Sequence, residues 1–132
     1  MVTDPITLGP QASVGKALRL MDKHRIRHLP IVEEGRLVGI VSDRDLRTCQ
    51  PPLEEEWSRV EYAIGLLEQP LEDHMTHEVH CVAPDTSIAT AVDLVINHRI
   101  GCLCVTDAGT NKLAGIVSQL DLLTELHPKK SA

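Results

Sequence analysis

The chain has 132 residues, 42% of them hydrophobic and 24% charged, with a formal net charge of −6 at pH 7. That size and balance suit an ordinary soluble globular fold with a real core. The acidic charge argues against a phosphate-backbone partner, and one Trp, one Tyr and no Phe leave no platform for stacking bases, so no nucleic-acid role is expected. No apolar run approaches a membrane span, and Met1 leads into Val-Thr-Asp-Pro rather than a basic-then-apolar leader; a cytoplasmic location without a membrane partner is expected. The four cysteines, Cys49, Cys81, Cys102 and Cys104, lack the spacing of a secreted disulfide scaffold and are expected to be reduced.

In chain order, Ile6-Thr7-Leu8 is a short extended stretch ending before a turn at Pro10. Ser13 is a good N-cap for a helix that buries Val14, Ala17, Leu18 and Met21 at helical spacing. Leu29-Pro30-Ile31-Val32 reads as a strand, Glu34-Gly35 as a turn, and Arg36 to Val41 as a second strand that runs at Ser42 into a short helix. Residues 51–70 form a linker: Pro51-Pro52, the acidic run Glu54-Glu55-Glu56, which suits a solvated face, and an amphipathic stretch from Trp57 to Leu67 that suits a short helix. After Pro70, the turn Leu71-Glu72-Asp73-His74 leads into a second set of elements. These are His80-Cys81-Val82, a helix capped by Ser87 with Ile88, Ala91, Val92 and Val95 on one face, a strand at Leu103-Cys104-Val105-Thr106, a longer turn over 108–111, a strand from Lys112 to Val117, and a helix from Ser118. The last residues, 128–132, read as a frayed tail.

The two sets are one unit written twice. Residues 1–46 align with 75–122, with two extra residues at Thr110-Asn111, at 17 identical positions. The identities include Pro10/Pro84, Ser13/Ser87, Ala17/Ala91, the triplets His24-Arg25-Ile26 and His98-Arg99-Ile100, and the Gly-Ile-Val-Ser blocks at 39–42 and 115–118. The expected fold is therefore α+β: tandem β-α-β-β-α repeats over 1–50 and 71–127, neither able to cover its own sheet alone. Each repeat closes on Ser-x-x-Asp, Ser42 with Asp45 and Ser118 with Asp121. A hydroxyl, a helix N-terminus and a carboxylate one turn along suit a phosphate beside a sugar diol. The same spacing also suits a variant capping box, a plainer role.

Other constellations carry less. His74, His77, His80 and Cys81 bear ligand chemistry, but at this spacing they straddle a turn and a strand, so no metal is expected. Cys102 and Cys104 share one face of a strand and suit packing. No nucleophile elbow and no carboxylate pair at a plausible separation appears, so the chain is not expected to be an enzyme.

Three segments, each present twice in the same order, resemble the cystathionine-β-synthase (CBS) domain pair, or Bateman module, here of stand-alone type: Met1 to Ser13 and Met75 to Ser87, the His-Arg-Ile-x-x-Leu stretches at 24–29 and 98–103, and the Gly-Ile-Val-Ser-x-x-Asp-Leu endings. The resemblance implies repeats packed through their sheets with pseudo-twofold symmetry, and clefts between them for AMP, ADP, ATP or S-adenosylmethionine. It implies that Asp45 and Asp121 accept hydrogen bonds from ribose hydroxyls, that Ser42 and Ser118 face phosphate, and that Ile6-Thr7-Leu8 and His80-Cys81-Val82 border the adenine. The pairs Arg27-His28 and Gly101-Cys102, with the following Leu29-Pro30 and Leu103, would lie near the phosphates. Arg27, His28 and Arg44 can make charge-assisted bonds to phosphate, whereas Gly101, Cys102 and Leu120 cannot, so the site that uses Arg27 and His28 should hold phosphate more strongly and the other should take a less charged ligand or stay empty. The implied role is a regulatory nucleotide sensor, expected as a homodimer acting in trans on an enzyme or transporter. The alternatives are a ligand-free dimerisation scaffold and an S-adenosylmethionine binder.

Overall fold

A computed structural model describes residues 3–47 and 64–126. They form two compact units, one over Ile6–Glu78 and one comprising the described residues of Met1–Pro5 and Val79–Ala132.

In the first unit, helix α1 (Val14–His24) starts where Ser13 leaves helical geometry and its Oγ accepts the Lys16 N–H. A further free donor at that helix start, the Val14 N–H, is taken by the Gln69 carbonyl at 2.9 Å. The helix ends at Arg25, which adopts the left-handed conformation (φ 55°), while the Ile26 N–H returns to the Met21 carbonyl. Strands β1 (His28–Glu33) and β2 (Arg36–Ser42) pair antiparallel around Glu34-Gly35, where both residues have positive φ and so match the strand twist. Helix α2 (Asp43–Arg47) follows directly. The expected opening strand is reduced to one parallel bridge from Leu8 to Ile31, since the chain turns at Gly9-Pro10. On the opposite edge, Ile40 and Thr76 exchange two hydrogen bonds.

The core of this unit sets Val14, Ala17 and Met21 of α1 against Leu29 and Ile31 of β1, Val41 of β2, Leu46 of α2 and Leu71. Leu71 opens a 3-10 turn (Leu71–Asp73) whose N–H groups reach back to Ala12 and Pro10. Residues 64–68, called α3, are helical, the part of the expected linker helix that falls within the described residues. Cys49, Pro51-Pro52, Glu54 to Glu56, the stretch from Trp57 to residue 63, and the tail lie outside them.

The second unit repeats the plan. Strand β3 (Cys81–Val82) pairs parallel with β4 (Cys102–Thr106), which pairs antiparallel with β5 (Leu113–Ser118). Helix α4 (Ile88–His98) is capped by Ser87 and ends on left-handed Arg99 (φ 53°), and α5 (Gln119–Leu126) follows β5. Ala91, Val95, Leu103 and Leu122 form its core. Each hairpin has a register shift at the same place, Ile31/Val32 and Val105/Thr106. The α+β tandem-repeat architecture expected from the pattern is present.

Candidate ligand site

Each unit brings the repeat's two polar motifs together. In the first, His28 pairs with Ser42 across the hairpin, and the Asp43 N–H at the start of α2 donates to the Arg27 carbonyl at 2.9 Å. In the second, Cys102 pairs with Ser118, and the Gln119 N–H donates to the Gly101 carbonyl at 2.8 Å. The residues before each strand thus stand beside the Ser-x-x-Asp junction of their own repeat.

The serines cap the closing helices. Ser42 Oγ accepts the Asp45 N–H, and Ser118 Oγ accepts the Asp121 N–H, both at 3.0 Å. At the second junction the Ser118 N–H also donates to Asp121 Oδ2 at 3.0 Å, completing a reciprocal capping box. The structural role of this motif is therefore real, and one carboxylate oxygen of Asp121 is already engaged. Asp45 is exposed, and Asp121 is half-buried.

A cavity of about 290 Å³ opens beside the second junction, walled by Val82 of β3, the Ala83-Pro84 turn with Thr86, Ile88 and Ala91 of α4, Val105, Val117, and Asp121, Leu122 and Glu125 of α5. Its turn is closed by Thr86, whose N–H bonds the Ala83 carbonyl and whose Oγ1 accepts the Ala83 N–H. The cavity joins Val82 and Asp121, two of the residues singled out from sequence. Thr86 and Glu125 were missed, though Glu125 stands four residues after Asp121 and so shares its helix face.

The other candidates are placed differently. Leu29 and Pro30 are wholly buried, as is Leu103, and Cys102 is nearly so. Their side chains pack within strands covered on both faces: Leu29 to Ile31 and all of Cys102–Thr106 are buried. Ile6 and Thr7 are half-buried alongside Leu8. His80 is exposed and stacks on His98, with ring centroids 4.2 Å apart, and Cys81 is exposed beside it. His74 instead hydrogen-bonds Gln69 in the first unit. Among the described residues no group of three or more His, Cys, Asp and Glu could hold a metal ion.

Around the first junction the charges differ. Arg25, Arg27 and Arg47 line a cavity of about 250 Å³ with Asp22 and Asp43. Burial pushes the His28 imidazole below its ordinary value; the carboxylates of Asp43 and Asp45 partly offset this, and Arg27 adds to it. His28, Arg27, Asp43 and Asp45 are therefore electrostatically one cluster. Arg44 is exposed on α2.

The thiols differ in the same physical terms. Burial pushes Cys102 up to about 12 and Cys104 higher still, while Cys81 is raised less. In a Cys49→Ser chain, Ellman's reagent is expected to modify Cys81 in the native protein, and Cys102 and Cys104 only after unfolding. Modification of more than one thiol in the native protein would contradict the buried β4 face.

The chain matches the CBS domain family over residues 1–51 and 71–128, and it belongs to that family. Inosine-5′-monophosphate dehydrogenase of Methanocaldococcus jannaschii is 31% identical over 124 residues, which are 93% of this chain and 22% of that enzyme. The chain spans only 22% to 42% of the length of the first curated relatives it matches. Among solved structures, a protein of Vibrio cholerae named for acetoin utilization superposes with a TM-score of 0.78 at 33% identity, covering 96% of this chain and 85% of that one. CBSX2 in complex with AMP superposes at 0.77 with 26% identity, covering 93% and 87%. A CBS domain pair in complex with 5′-methylthioadenosine and S-adenosyl-L-methionine superposes at 0.73 with 26% identity, covering 95% and 93%. No helix among the described residues is long and apolar enough to cross a membrane.

Proposed function

We propose that this chain is a non-catalytic regulatory module that binds an adenosine nucleotide (AMP, ADP or ATP) at its Ser-x-x-Asp junctions and passes its occupancy to a partner enzyme or transporter in the cytoplasm. The observation that carries this reading is the cavity beside Ser118 and Asp121. It has an apolar wall at Val82 for a base, a carboxylate for a ribose diol, and a volume of about 290 Å³, near the lower end of small-molecule pockets. Relatives in complex with AMP, and with 5′-methylthioadenosine and S-adenosylmethionine, support the same ligand class. At the first junction, Arg27 and Arg44 supply cations suited to phosphate oxygens, and His28 joins them once protonated. Ligand would bias the conformation a partner reads. The exposed Ile96 on α4 and Leu120 and Leu123 on α5 offer an apolar surface for a homodimer.

Thermal unfolding with AMP, ADP, ATP and S-adenosylmethionine tests this on the intact chain and on Asp45→Ala and Asp121→Ala. A ligand at 100 times its dissociation constant adds about 2.7 kcal/mol, several degrees here. A shift with an adenosine ligand, lost in one variant while sedimentation still shows a dimer, is the expected result. No shift with any ligand would favour the scaffold reading. A phosphate beside His28 raises the imidazole that burial had lowered, so binding takes up a proton. Nucleotide affinity should then rise as the pH falls and level off only below the lowered imidazole value, which lies under 6.5, and His28→Gln should flatten that rise.

A further inference from the structure

We infer that the cavity of the second unit takes an adenosine whose 5′ group carries no net negative charge, in preference to a nucleotide phosphate; this rests on the sensor reading above and names the ligand of that same site. Among the described residues lining the cavity, the charged ones are Asp121 and Glu125, and both are acidic. They stand four residues apart on α5, one turn along the same face, so their carboxylates address one space. Asp121 keeps one oxygen on the Ser118 N–H, and no lining cation is present to offset Glu125.

A phosphate dianion brought into this space meets two like charges, one half-buried and one exposed. A 5′-thioether meets no such cost, and a sulfonium or ammonium group gains attraction from both carboxylates. The difference between the repeats is written in the sequence. The position matching Glu125 is Cys49, Gly101-Cys102 replaces Arg27-His28, and Leu120 and Leu123 replace Arg44 and Arg47; the one cation of the first junction that is kept, Arg25 as Arg99, does not line the cavity. Glu125 is exposed.

The test is calorimetric titration of the full chain carrying Asp45→Ala, which leaves the second junction intact, with 5′-methylthioadenosine, S-adenosylmethionine, AMP and ATP. The neutral thioether and the sulfonium ligand are each expected to bind at least about tenfold more tightly than AMP, a difference between that of a like-charge contact in bulk water and that of one near a protein surface. Tighter binding of the sulfonium than of the thioether would assign the preference to attraction, and equal binding to exclusion of phosphate alone. Glu125→Lys should raise AMP affinity and weaken S-adenosylmethionine, reversing the order. AMP binding as tightly as the thioether, or an order unmoved by Glu125→Lys, would overturn this inference while leaving the sensor reading standing. Failure of all four ligands to bind would overturn both.

Discussion

Leu29→Ala is expected to cost about 3–5 kcal/mol of stability, and Leu103→Ala, its counterpart in the second repeat, about 2–4 kcal/mol. Both side chains are fully buried at the second residue of a β1-type strand. Their surroundings differ. Leu29 belongs to a cluster of eight buried residues drawn from α1, both strands, α2 and the turn at Leu71. Leu103 shares its cluster with Ala91, Val95 and Leu122, each still 5% or 6% exposed. A tighter shell relaxes less around a deleted isobutyl group, so the residual cavity and its cost are larger. Guanidinium unfolding, followed by the midpoint at unchanged slope, measures both losses. A cost below about 1 kcal/mol for Leu29→Ala would mean that the first unit's core is not packed as described. The reverse order of the two variants would contradict the difference in packing.

How much of this was legible before any coordinates depended on whether a feature is local. The serine caps at 13 and 87 and the strand-to-helix junctions at 42 and 118 follow from residue type and spacing, and each is present as a hydrogen bond. The His-Arg-Ile triplets were legible as a repeat but not as a cause. Arg25 and Arg99 both hold left-handed helix termini, which an L side chain resists, so nothing in propensity pointed there instead of to glycine. The triplet's isoleucine closes the cap on the carbonyl of Met21 or Val95. Features built by tertiary packing were not legible. Leu71 joins the first core and Thr76 pairs with Ile40, each depending on where segments distant in sequence come to rest, and that the helix face shared by Asp121 and Glu125 walls a cavity needed the elements packed against it. The site followed the same division. Ser-x-x-Asp was read correctly as a helix start, and which residues wall the adjoining cavity needed the fold. Leu29 and Leu103, expected beside a ligand because they follow the polar pairs in sequence, lie fully buried in strands that are covered on both faces, which the sequence pattern alone does not reveal.

Gly39→Val should destabilise the chain by about 3 kcal/mol, the upper part of the range for overpacking a closed site. A Cβ at residue 39 would lie 2.5 Å from Met75 Sδ, 2.9 Å from Met75 Cγ and 3.1 Å from the Thr76 carbonyl oxygen. Methionine is pliable, but Met75 packs against the first core, so moving it exposes what it covers. The Thr76 carbonyl cannot give way cheaply either, because it accepts the Ile40 N–H at 3.1 Å while the Thr76 N–H donates to Ile40 at 2.9 Å. The glycine of Gly-Ile-Val-Ser therefore serves a close approach of backbone to backbone, three residues before Ser42 and its helix cap. A double-mutant cycle separates the two contacts. Gly39→Ala with Met75→Ala should cost less than the sum of the single variants, by about 1 kcal/mol, because the sulfur collision vanishes while the Thr76 contact stays. Strict additivity would show that Met75 does not close over Gly39. A loss of nucleotide-induced stabilisation in Gly39→Ala, with Ser42 and Asp45 unchanged, would show that the Thr76 bridge helps hold the first junction in its binding geometry.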